Sequence, residues 1–138
     1  MPKPEGKTFS FTSEASIDSE LLEVFPFNSP NQKISINTSE FTAVCPFSGL
    51  PDIASVNIEY YPTDNKCIEL RSLKYYFITF RNVGIYQELV TKRIYDDLSA
   101  ILCTTRLRVT TYYNTRGGLD TVCIEAGEGM GINSALIE

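Results

Sequence analysis

Histidine is missing from this 138-residue chain. Its absence excludes a histidine general base, a histidine zinc site and a Ser-His-Asp triad. Any catalysis must run on Cys, Asp, Glu, Lys, Tyr or a bound cofactor. Long apolar runs are missing too. No stretch approaches the ~20 residues of a membrane span, and the start, MPKPEGKTFSF, lacks the apolar core of a secretory signal. A cytoplasmic protein without membrane contact is therefore expected. Basic charge is scarce: 12 Lys and Arg against 17 Asp and Glu give a net charge of -5. That argues against broad nucleic-acid binding, which needs a basic footprint, yet leaves room for a small anion held by a local basic cluster. Paired cysteines are also lacking. Cys45, Cys67, Cys103 and Cys123 form no CxxC motif, which weakens a zinc-ribbon reading, and disulfides are unexpected in a reducing compartment. The plain reading of each is a small buried hydrophobe.

What the chain does contain suits one ordinary globular domain. Hydrophobic residues make up 43% and charged residues 21%, and a chain this long buries roughly two-thirds of its unfolded surface without staples. Residues 1–32 read as an arm, rich in Ser, Pro, Glu and Asn, that packs on the body or on a neighbouring subunit. Residues 33–138 form the domain. Strand patterning runs over 33–44, then again where Ala54, Val56, Ile58 and Tyr60 alternate with polar residues. A short strand is expected from Lys66 to Leu70. Ser72 is the expected cap of a helix whose stripe is Leu73, Tyr76, Phe77 and Phe80. A second helix from about Ile85 presents Val90, Ile94, Leu98 and Ile101. Strands at 107–113 and 119–125 flank a turn at Gly117-Gly118. The tail from Gly127 has few anchors. The order ββααββ predicts an α+β fold: a four-stranded antiparallel sheet with both helices on one face.

Several segments invite a chemical reading. Gly127-Glu128-Gly129-Met130-Gly131 is not a dinucleotide fingerprint, because its spacing is wrong and too little chain follows. The loop from Cys45 to Asp52 holds two prolines and a glycine, and it puts a thiol at a strand end with a carboxyl seven residues on. A reachable thiolate can attack, and a nearby acid can deliver a proton; a buried cysteine and a turn aspartate are the plainer alternative. Glu69-Leu70-Arg71-Ser72-Leu73-Lys74 joins a strand to a helix start with two cations, a setting for a phosphate or simply a solvated cap. Arg116-Gly117 is similar. Gln87-Glu88 opens the second helix, where Glu88 either binds the N–H edge of a purine-like base or stabilises the helix.

Taken together, these segments resemble one family. Glu40-Phe41-Thr42-Ala43-Val44-Cys45-Pro46 with Gly49-Leu50-Pro51-Asp52 resembles the nucleophile segment of the queuosine-pathway nitrile reductases. Ile68-Glu69-Leu70-Arg71-Ser72-Leu73-Lys74 with Phe80-Arg81-Asn82 resembles their signature segment. Gln87-Glu88 and Arg116-Gly117-Gly118 stand where the family has His-Glu and an Arg-Gly-Gly loop. The resemblance covers about 33–125 and is of the short, single-module type. It implies the tunnelling fold, whose ββααββ units assemble into rings with sites between subunits. It also implies NADPH-dependent reduction of the nitrile of 7-cyano-7-deazaguanine to an aminomethyl group through a Cys45 thioimide, with Asp52 as proton donor. Ile68, Glu69, Leu70, Gln87 and Glu88 match substrate positions; Leu70, Arg71, Ser72, Lys74, Arg116 and Gly117 match cofactor positions.

Two departures stand out. Arg71 replaces the signature's first lysine, which changes the geometry of a phosphate contact, and Gln87 replaces a histidine, so that position cannot move a proton near neutral pH. Rival readings are an amidine-forming relative that adds ammonia to the same nitrile in tRNA, a zinc cyclohydrolase of the same fold, and a non-catalytic purine-binding module. The absent histidine opposes the second. The retained signature and acidic charge oppose the first, and Cys45 with Asp52 opposes the third.

Overall fold

Alternating apolar positions pair the long strands into one antiparallel sheet in the order β2-β3-β5-β6: β2 (Ile34–Val44), β3 (Pro51–Tyr60), β5 (Leu107–Arg116) and β6 (Leu119–Ala126). The computed structural model describes Lys3 and residues 5–131. On β3, Ala54, Val56, Ile58 and Tyr60 are buried on one face, and both helices cover that face. These are α1 (Leu70–Ile78) and α2 (Gln87–Leu102). The expected ββααββ order is found. Leu73 and Tyr76 of α1 and Val90, Ile94 and Leu98 of α2 are buried in the shared core, with Phe80 just past α1. The Tyr76 hydroxyl donates to Asp97 (2.7 Å), which also accepts from Arg93 Nε (2.8 Å), so the two helices are tied together where they meet.

Three local expectations are corrected. The residue capping α1 is Glu69, not Ser72. The Glu69 carboxylate accepts from the Ser72 and Arg71 N–H groups (2.7 and 3.1 Å), while Ser72 lies inside the first turn. The short strand is only β4 (Cys67–Ile68), and it joins β1 (Val24–Phe25) of the arm in a separate two-stranded sheet. The tail is anchored as far as it is described: Gly127 N–H donates to the Leu107 carbonyl (2.9 Å), and Arg108 donates to the Met130 carbonyl (3.0 Å). Residues 132–138 lie outside the described residues.

The arm lies along the body of its own chain. Ile17 and Leu22 enter the core, and Phe9 N–H donates to the Ser48 carbonyl (2.8 Å). Two strand irregularities then aim side chains. Between Thr38 and Phe41, β2 carries one residue more than β3; between Tyr113 and Arg116, β5 carries one more than β6. Each extra residue reverses the alternation, so Phe41 and Ala43 stay on the helix face and Arg116 joins Tyr113 on it. No described helix is long and apolar enough to cross a membrane.

Candidate active site

The β2–β3 hairpin explains how Cys45 and Asp52 meet. Ala43 is paired with Asp52, and the ladder continues through Cys45 N–H to the Leu50 carbonyl (2.9 Å). Two residues beyond Ala43, Cys45 points to the same side, as a diagonal neighbour of Asp52; such pairs lie about 7–8 Å apart. Gly49 closes the loop at φ +72, a conformation that favours glycine. A Cβ there would also sit 2.3 Å from the Phe9 carbonyl oxygen.

Cys45 is half-buried, and its thiol is shifted below the ordinary value of 9.0. The backbone N–H of Ser48 is the main cause. Burial opposes it, and the Phe47 N–H, the Ser48 hydroxyl and Arg116 add to it. Asp52 is 3% exposed, and Arg116 donates to its carboxylate. An ionised carboxylate so buried needs such a partner. The bulge in β5 and the turn at Gly117 and Gly118, both at positive φ, place Arg116 at the hairpin tip where it reaches Asp52 and Cys45 alike. Sequence reading assigned Arg116 to the cofactor alone.

Above this pair stands the start of α2. Thr91 and Thr111 share a hydrogen bond of 2.6 Å. Glu88 lies one turn before Thr91 and Tyr113 two residues beyond Thr111, so both lie toward the Asp52 end. Glu88 is exposed and Gln87 half-buried.

The structure therefore gathers Cys45, Asp52, Gln87, Glu88, Arg116 and Gly117 at one end of the sheet. The signature segment lies elsewhere. Ile68 N–H donates to the hydroxyl of Tyr60, the last residue of β3 (3.0 Å). Eight residues of strand separate Tyr60 from Asp52, roughly 26 Å. Ile68, Glu69, Leu70 and Arg71 are thus at the opposite end from Cys45 in the same chain. Ser72 is buried, its hydroxyl donating to the Glu69 carbonyl (2.6 Å) and accepting from Glu23 N–H (2.9 Å). Leu70 and Lys74 line a cleft of about 250 Å³ between α1 and β2, with Phe77, Arg81 and Glu40. Arg71 stands out in solvent, 3.7 Å from Glu69. The cleft's apolar wall is edged by the cations Lys74 and Arg81, which suits an anionic ring ligand, while the N–H groups of Arg71 and Ser72 at the helix start are already taken by Glu69.

Sequence reading missed two residues of the Cys45 end, Ser48 and Tyr113. Ser48 is the middle of a turn-rich loop, and only its place in the folded turn puts its N–H on the thiol. Tyr113 was read as one more alternating strand residue.

Comparison with known proteins places this arrangement. The family model described as "QueF-like protein" matches residues 51–129. A relative from Thermotoga petrophila named "NADPH-dependent 7-cyano-7-deazaguanine reductase" is 58% identical over 121 residues, 88% of each chain. One of the same name from Chlorobium phaeovibrioides is 49% identical over 102 residues, 72% of this chain and 87% of its own. Among solved structures, the apo form of "the archaeosine synthase QueF-Like" superposes with a TM-score of 0.66 at 20% identity, covering 77% of this chain and 100% of that one, a likeness of fold.

Proposed function

Because the chain belongs to the QueF-like family, we propose that it reduces the nitrile of 7-cyano-7-deazaguanine to an aminomethyl group with NADPH, the four-electron step expected in queuosine biosynthesis. The observation that carries this reading is the placement of a thiol of lowered pKa beside a buried carboxylate, beneath a helix-start glutamate. A nitrile is a weak electrophile, and covalent addition makes an imide that is easier to reduce. Cys45 sulfur forms a bond to the nitrile carbon while one C–N π bond breaks. The nitrogen gains a proton from Asp52, which has taken it from the Cys45 thiol, so charge balances within the pair. Glu88 accepts from the N–H edge of the base, and Gln87 hydrogen-bonds without moving a proton. NADPH, when bound, supplies hydride. Leu70, Arg71 and Lys74 would hold it at the cleft beside α1, and Ser72 shapes that helix start from within.

The two halves of this site belong to different copies. One chain offers Cys45, Asp52, Glu88 and Arg116 at one end and Ile68 to Lys74 at the other, so a homo-oligomeric ring joins the end of one subunit to that of the next. Phe47 (71% exposed) and Leu119 (72%) at the first end and Leu70 (59%) at the second support such contacts, as do the outer edges of β2 and β6, which no further strand covers among the described residues.

The test is a difference spectrum on adding 7-cyano-7-deazaguanine. Wild-type protein gains a thioimide band, and Cys45→Ala gains none and does not turn over. An adduct on Cys67, Cys103 or Cys123 would overturn the assignment.

A further inference from the structure

Residues 9–12 of the arm run beside the Cys45 turn and hold it from both sides. After the thiol, Phe9 N–H donates to the Ser48 carbonyl (2.8 Å). The next residue, Gly49, lies so close to the arm that a Cβ there would meet the Phe9 carbonyl oxygen at 2.3 Å. Before the thiol, Thr12 is bridged to Val83 and Val44 to Gly84, both in parallel. Thr12 N–H donates to the Asn82 carbonyl (2.7 Å), and the Thr12 carbonyl accepts from Gly84 N–H (2.9 Å). Val44 N–H donates in turn to the Val83 carbonyl (3.0 Å). The Phe11 ring rests on Gly84, where an added Cβ would sit 2.3 Å from it. Residues 82–84 are thus held between the arm and the residue that precedes Cys45.

These contacts add little to the core. Phe9 is 54% exposed and Phe11 37%, and the buried anchors of the arm, Ile17 and Leu22, come later in the chain. What the contacts do constrain is a turn with freedom of its own. Gly49, at φ +72, has many conformations open to it. The N–H groups of Ser48 and Phe47, which favour the Cys45 thiolate, point at the sulfur in only some of them. The charged groups around the thiol are Asp52 from β3 and Arg116 from β5, with Glu88 beyond them at the start of α2. None comes from the arm, which carries no charge from Phe9 to Thr12. Any effect of this segment on the sulfur therefore runs through the shape of the turn.

We infer that residues 9–12 are a positioning segment for Cys45, clamping the 45–49 turn in the shape that aims its N–H groups at the sulfur. The inference rests on the functional reading above only in taking Cys45 as the nucleophile.

The experiment uses three full-length variants. Phe9→Pro and Thr12→Pro each remove one clamping N–H, while Phe9→Ala keeps the N–H and loses only a largely exposed ring. Alkylation of Cys45 by iodoacetamide is followed against pH by mass spectrometry, which separates it from the exposed Cys103. The midpoint should move up toward 9.0 in both proline variants and stay at the wild-type value in Phe9→Ala. At a fixed pH below the wild-type midpoint, the proline variants should react about three- to tenfold more slowly. The high-pH plateau reports access alone, so it separates a more open loop from a less stable thiolate. An unmoved midpoint in either proline variant that melts cooperatively overturns the inference, as does an equal shift in Phe9→Ala. Loss of cooperative melting in both proline variants also overturns it, because the segment would then serve the fold and not the thiol. Wild-type protein is mixed with 7-cyano-7-deazaguanine alongside. If it forms the Cys45 adduct and the midpoints do not move, only the clamp falls; if it forms none, the functional reading falls and the midpoints still decide the clamp.

Discussion

At the scale of residues, the proposed chemistry depends on how Cys45 is held. The Ser48 N–H is the largest of several groups that favour its thiolate over the thiol. Iodoacetamide reacts with thiolate, so the alkylation rate of Cys45 should rise with pH at a midpoint below 9.0. Ser48→Ala, which removes the hydroxyl contribution, and Arg116→Gln, which removes the nearby cation, should each move that midpoint upward. A midpoint at or above 9.0 in the wild type would show that the loop does not activate the thiol. Cys45 and Asp52 were legible because a proline-rich loop of that length must fold back and bring its ends together. Ser48 and Tyr113 were not. Their places depend on which backbone N–H turns inward and which face a strand presents, and the same letters in another register would give neither. Arg116 was legible as a functional arginine, but its contact with Asp52 needs the β5 bulge, which leaves no mark in the alternation.

At the scale of elements, period and turn residues fixed the order and the sheet, since period-two and period-3.6 patterns are distinct over these lengths. Termini were harder. Ser72 is the favoured cap by residue type, and the role falls to Glu69 because helix α1 begins at Leu70. The two N–H bonds hold the Glu69 carboxyl below its ordinary value of 4.5, Ser72 contributing most and Arg71 next. A carboxyl lowered by folding stabilises the protein above its unfolded pKa, and that stability is lost as pH falls through the folded value. Glu69→Gln should therefore lower Tm at neutral pH by roughly 2–5 °C. The gap from wild type should narrow as pH drops below 4.5. Thermal melts at pH 7 and pH 3 check this, and a gap that persists unchanged at pH 3 would mean that the ionised cap is not what supports α1.

At the scale of the whole molecule, the sequence lists the site residues on one line, and the fold pulls them to two ends of a sheet roughly 26 Å apart along β3. Nothing in motif spacing reveals that separation; it follows from β3 running the full length of the sheet with Asp52 near its start and the Tyr60–Ile68 hydrogen bond at its finish. On the proposed reading, an intact pocket requires one subunit's Cys45 end against another's Glu69–Lys74 end. Light scattering should accordingly find no active species near 15.5 kDa. Complementation tests the sharing itself. Cys45→Ala protein retains a sound signature segment, and Lys74→Ala protein retains a sound thiol and acid. Each alone should be nearly inactive, one in adduct formation and the other in cofactor use. Dissociated, mixed in equal amounts and reassembled, they should regain about one quarter of wild-type turnover. That is the chance that a random pair of neighbours brings both sound halves to one pocket of a head-to-tail ring. If every chain built its own site, no mixture could contain a sound pocket and activity would stay at the level of the separate variants. The recovered fraction therefore reads out whether the two ends meet across a subunit boundary.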